Sequence, residues 1–149
     1  MARLDSQTVN TRKARLAGYS SAPLIKKLGI KPDSKIIFIN EPVSLYRELG
    51  ELPENIKTAK SLDQQFDYIH YFTTFRTDLE SFFKLILKFL KKDGMLWVSW
   101  PKKSSKVTTD LDENIIREIG LKNGLVDVKV AAIDEVWSGL KFVRRLKDR

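Results

Sequence analysis

Apolar residues along this chain follow two different periods, and the alternation between them predicts the fold. Ile36-Ile37-Phe38-Ile39 is an unbroken apolar run after the turn-forming Lys31-Pro32-Asp33-Ser34. Such a run marks a strand buried on both faces. Phe66-Asp67-Tyr68-Ile69-His70-Tyr71-Phe72 and the segment from Met95 to Trp100 carry the same mark, and Ile56 to Ala59 a weaker one. Helical spacing governs what lies between. Leu79, Phe82, Phe83, Ile86, Phe89 and Leu90 form one apolar face. They predict a helix that opens on the capping box Thr77-Asp78-Leu79-Glu80 and runs to about Lys92, with Gly94 past its end.

Pro23 to Gly29 and Val43 to Leu49 read as short helices. A second capping box, Asp110-Leu111-Asp112-Glu113, leads a helix that buries Leu111, Ile115 and Ile119. Leu125 to Ile133 and Leu140 to Val143 are strands joined through Asp134-Glu135-Val136-Trp137-Ser138-Gly139. The order β α β β α β α β β predicts an α/β fold: a three-layer, mostly parallel Rossmann-like sheet, closed by a C-terminal antiparallel hairpin. Residues 1–17 have no such period and read as a flexible basic arm before a single α/β domain, 18–149.

Composition narrows the chemistry more than the fold. With 149 residues and no cysteine, the chain is one domain without disulfides, thiol catalysis or a thiolate metal site. One histidine makes zinc improbable too, and no metal or other cofactor is expected. The absence of an apolar run of roughly 20 residues or of a signal peptide predicts a cytoplasmic protein with no membrane partner. Lys and Arg number 27 against 19 Asp and Glu, a net charge of +8, which favours anionic partners. Many of these cations lie before residue 35 or in the closing group Lys141, Arg144, Arg145, Lys147 and Arg149.

Gly18-Tyr19-Ser20, Lys26-Lys27-Leu28-Gly29-Ile30-Lys31, Trp97-Val98-Ser99-Trp100-Pro101-Lys102-Lys103 and Asp134-Glu135-Val136-Trp137-Ser138-Gly139-Leu140 resemble the bacterial family called domain of unknown function 3052. That resemblance implies no particular reaction. The order of elements also resembles a reduced class I methyltransferase fold. In that fold the loop after the first strand is glycine-rich, so that backbone can approach the cofactor. Here it reads Phe38-Ile39-Asn40-Glu41-Pro42-Val43-Ser44, without glycine and with an acid. The link from Ala59 to Phe66 is also too short for the usual extra strand and helix. Both departures argue against binding of S-adenosylmethionine.

Ligands of open parallel sheets sit beyond the carboxyl ends of the strands. Asn40, Glu41, Thr73, Thr74, Trp100, Lys102, Lys103 and Ser104 are delivered there, with Trp137 and Ser138 beside Trp100 if the hairpin returns next to that strand. Two indoles, a lysine pair and several hydroxyls suit a small anionic aromatic ligand. No catalytic residue stands out: Ser99 lacks the context of a nucleophile, and His70 reads as a satisfied strand residue. The expectation is therefore a non-catalytic binding protein for such a ligand or for a partner protein. A nucleic-acid-binding module using the arm and the C-terminal cations is the alternative, and a divergent methyltransferase the third reading.

Overall fold

The computed structural model describes residues 23–149, so the arm lies outside the described residues, as does Gly18-Tyr19-Ser20. Six strands form one sheet: β1 (Lys35–Ile39), β2 (Lys57–Ala59), β3 (Phe66–Phe72), β4 (Leu90–Pro101), β5 (Leu125–Ala132) and β6 (Trp137–Arg144). Their order is β2-β1-β3-β4-β6-β5. β2, β1, β3 and β4 pair in parallel, whereas β6 is antiparallel to both β4 and β5. The predicted three-layer sheet with a closing hairpin is what the chain builds.

Helices α1 (Leu24–Leu28) and α2 (Leu45–Leu49) cover one face; α3 (Arg76–Lys88) and α4 (Glu113–Lys122) cover the other. Alternation along β4 divides the core between them. Leu96, Val98 and Trp100 pack with Leu79, Phe83 and Ile86 of α3 and Ile116 and Ile119 of α4. Trp97 points the other way, is fully buried, and donates from Nε1 to the Leu28 carbonyl at 2.9 Å. An indole N–H needs such a partner when water is excluded.

The six residues between β2 and β3 suffice because β2 is only three residues long and pairs low on β1, Lys57 opposite Lys35. The chain therefore has little height to recover before β3 starts. Leu62 of this link packs against the core on the α3 side, and Asp67 Oδ2 accepts from the Lys35 N–H at 2.9 Å.

Several boundaries differ from expectation, among them the start of β6, which begins at Trp137 rather than Leu140. α3 stops at Lys88, because Leu90 already pairs with Phe66 and Arg144 Nη2 donates to the Leu87 and Leu90 carbonyls at 2.8 and 2.7 Å. Gly94 consequently lies in β4 rather than capping α3. A Cβ there would fall 2.9 Å from Leu90 Cδ1 and 3.1 Å from the Phe66 and Asp67 carbonyl oxygens. Nor does Thr77 cap α3: the helix follows Phe75, and its Arg76 N–H is taken by the distant Asp110 carboxylate at 2.8 Å. The second box shifts by two residues, with Asp112 as the N-cap of α4, its Oδ1 accepting from the Ile115 N–H at 2.8 Å.

Candidate functional site

The chain leaves β1 toward β2 on one side and later returns to place β3 on the other. The carboxyl ends of β1 and β3 thus diverge, which opens a crevice at the point where strand order reverses. A cleft of about 530 Å³ occupies this position. Ile39 and Asn40 enter it from β1, and Tyr71, Phe72, Thr73 and Thr74 from β3. Asp78, Ser81 and Phe82 come from the first turns of α3, and Trp137 from the start of β6.

Local geometry explains how these residues are held. Asn40 has φ 59°, the left-handed conformation, and so turns the chain where glycine would otherwise be needed. Asparagine is among the few side chains that tolerate this region. The Thr73 N–H donates to the Ser99 carbonyl at 3.0 Å, tying the end of β3 to β4. Phe72 meets Trp137 edge to face with centroids 5.2 Å apart, and Tyr71 lies 5.1 Å from Phe82. Burial pushes the Tyr71 hydroxyl up, opposed by its hydrogen bond with Thr73 and assisted by the nearby Asp78 carboxylate. It therefore stays protonated at neutral pH and can donate.

The electrostatics of the cleft run against those of the molecule. Among the described residues the lining holds one carboxylate, Asp78, and no lysine or arginine, in a chain of net charge +8. The cations gather elsewhere. Lys129 stands opposite Lys141 across β5 and β6, and both Lys27 and Lys141 are pushed down, first by burial and then by neighbouring lysines.

Of the residues expected at a site, Asn40, Thr73, Thr74 and Trp137 come together. Glu41 turns away from the cleft: its carboxylate accepts from the Tyr46 hydroxyl, whose pKa is raised to about 12 by burial and by Glu41 itself. Trp100 and Trp137 do not meet, because Trp137 pairs with Pro101 and Trp100 with Ser138. Cross-strand partners share a face and adjacent residues do not, so the two indoles stand on opposite sides of the sheet. Trp100 is buried against α3 and α4, and Ser138 follows it to that side. Lys102 donates from Nζ to the Asp134 carbonyl at 2.7 Å, and Lys103 and Ser104 are exposed on a 3-10 turn, so none of the three lines the cleft.

Asp78, Ser81, Tyr71, Phe72 and Phe82 were missing from the sequence-based set. They flank Thr73-Thr74 in the chain, and a strand end followed by a helix start would have pointed to them. Asp112 caps α4 and Asp110 meets the first turn of α3 instead, while Glu113 pairs with Arg117. Among the described residues no cluster of acids or histidine could hold a metal ion. No helix among them is long and apolar enough to cross a membrane.

His70 lies outside the cleft and is fully buried. Its Nδ1 shares a hydrogen bond with the Tyr68 hydroxyl (2.8 Å), and its Nε2 another with Ser99 Oγ (2.7 Å). Phe72 stacks on it at 4.3 Å. Burial lowers its pKa to about 3. A serine and a histidine in contact suggest a nucleophile and its base, but no substrate reaches this pair. It is a satisfied polar bridge between β3 and β4.

No family model matches the chain, and no curated protein matches it. Solved structures do. DhpI in complex with SAH superposes with a TM-score of 0.59 at 10% identity, over 95% of this chain and 91% of that one. A SAM-dependent methyltransferase from Aquifex aeolicus gives 0.55 at 14% identity, over 91% and 97%. Aeropyrum pernix fibrillarin with natively bound S-adenosyl-L-methionine gives 0.53 at 15% identity, over 89% and 73%. These likenesses establish a methyltransferase-type Rossmann-like fold. They correct the expectation of a non-catalytic binding protein: the structures that share this fold are described as methyltransferases or hold S-adenosylmethionine or SAH, and of the three readings the divergent methyltransferase is the one that fits.

Proposed function

We propose that this chain is a divergent methyltransferase that takes S-adenosylmethionine in the cleft between β1 and β3. The observation that carries this reading is the character of the lining among the described residues: aromatic rings and one carboxylate, without a cation, in a basic protein. The reactive sulfur of S-adenosylmethionine is a sulfonium. A cation of this kind is favoured near aromatic faces and a carboxylate and disfavoured near lysines. The cofactor would supply a methyl group carried on that positive sulfur.

The objection raised by the glycine-free, acidic loop loses its force in three dimensions, whereas the extra strand and helix are absent between β2 and β3 among the described residues. Asn40 adopts the turn for which glycine was missed, and the Glu41 carboxylate is engaged by Tyr46. On this reading Asp78 faces the positive end of the cofactor, Phe72 and Trp137 form an apolar wall, and Thr73, Thr74 and the Tyr71 hydroxyl serve its polar groups. The same features disfavour the anionic aromatic ligand first expected, whose lysine partners lie elsewhere.

Equilibrium dialysis with radiolabelled S-adenosylmethionine tests the reading. Wild-type protein should retain label, and Trp137→Ala should retain several-fold less while staying folded. Retention by neither protein, or by both equally, would remove the cleft from consideration.

A further inference from the structure

The loop joining β4 to α4 does not line the cleft, yet its two ends are hydrogen-bonded to two of the cleft's walls. At its start the Lys102 N–H donates to the Val136 carbonyl and Lys102 Nζ to the Asp134 carbonyl, both at 2.7 Å. The Asp134 carboxylate in turn accepts from the Val136 and Trp137 N–H groups, both at 2.8 Å. The turn that delivers Trp137 is thus fixed from within by Asp134 and from outside by Lys102. At the far end, the Thr109 hydroxyl donates to the Thr74 carbonyl and accepts from the Leu111 N–H at 3.0 Å. One residue on, the Asp110 carboxylate takes the Arg76 N–H at 2.8 Å. That N–H belongs to the first turn of α3, whose N-cap residue, Phe75, has no side chain to satisfy it.

We infer that residues 102–112 form a brace, in which Lys102, Thr109 and Asp110 act as positioning residues for two parts of the cleft's lining, the Trp137 turn and the Thr74–α3 junction. Thr74 and Trp137 touch the ligand volume; the three brace residues act only through them. A cleft lined by loops loses affinity to the ordering of those loops when a ligand binds, and walls fixed beforehand avoid that loss. Charge assists at both ends, since an ammonium meets a carbonyl and a carboxylate meets an N–H. The lysine that composition marked as an anion ligand is, in this arrangement, a fastener. The brace rests on the methyltransferase reading for the identity of its ligand, but not for its geometry.

Two measurements on the full chain separate the inference from the functional reading. The first is amide hydrogen exchange. In Asp110→Ala the Arg76 amide should exchange about tenfold faster or more, and in Lys102→Ala the Trp137 turn should also speed up. The second is calorimetric titration of S-adenosylhomocysteine. Thr109→Val with Asp110→Ala should raise Kd about tenfold, and Thr109→Ser with Asp110→Asn, which keep the donor and acceptor, should restore it to within about twofold. A merely structural loop would not show that rescue. Unchanged exchange at Arg76 overturns the brace whatever binds. Faster exchange with unchanged affinity overturns its role in positioning. If the wild type does not bind the probe, the functional reading fails and exchange alone decides the brace.

Discussion

His70 should make the protein acid-sensitive although it has no part in the proposed chemistry. The imidazole is fully buried between Tyr68 and Ser99, with a pKa lowered to about 3 by that burial. An unfolded histidine titrates near 6.5. Between these values the unfolded chain binds a proton that the native state does not, so stability must fall as pH drops from 6.5 toward 3. Each unit is worth about 1.4 kcal/mol, so lowering the pH from 7.5 to 4.5 should remove about 2.5 kcal/mol through this group alone. Carboxylates add a slope of their own, and a variant isolates the histidine. His70→Gln retains polar groups to meet Tyr68 and Ser99 but cannot be protonated. Urea unfolding of both proteins at several pH values gives the comparison. The variant should be the less stable at pH 7.5, and the gap should narrow by about 2.5 kcal/mol at pH 4.5. Parallel pH profiles would mean that His70 is hydrated or charged in the native state, and would refute the reasoning.

Gly120 on α4 faces the ring of Phe142, and a Cβ there would lie 2.1 Å from Phe142 Cε1. Gly120→Ala should therefore cost about 3 kcal/mol or more in urea unfolding, despite alanine's better helix propensity. Asp112→Ala should cost about 1 kcal/mol by the same measurement, through loss of the cap on Ile115. Lys103→Ala should change stability by under about 0.5 kcal/mol and leave S-adenosylmethionine affinity unaltered in calorimetry, because the side chain is exposed and away from the cleft.

The architecture was legible because strands buried on both faces leave apolar runs that nothing else explains, as at Ile36 to Ile39. What escaped was whatever depends on partners far along the chain. α3 ends at Lys88, where Arg144, 57 residues beyond Leu87, takes the Leu87 carbonyl, and no local pattern carries that information. The tryptophan pair failed on register: a shift of one residue between β4 and β6 decides which face Trp137 occupies, and composition does not encode that shift. Asp78 was hidden by a sufficient local explanation, since an acid in the first turn of a helix already has a role with the dipole. Conversely, the glycine-free loop concealed a left-handed turn, which Asn40 supplies and composition does not reveal.

The central claim is that the cleft is built for a positively charged sulfur rather than for an anion. Calorimetric titration of S-adenosylmethionine and of adenosine monophosphate, against wild type and Asp78→Asn, tests it most directly. S-adenosylmethionine should bind wild type, and more weakly by about tenfold in the variant, as for loss of one charged partner. Adenosine monophosphate should bind poorly to wild type and no worse to the variant. Wild-type protein that ignores S-adenosylmethionine, or that prefers the monophosphate and loses it with Asp78, would contradict the account.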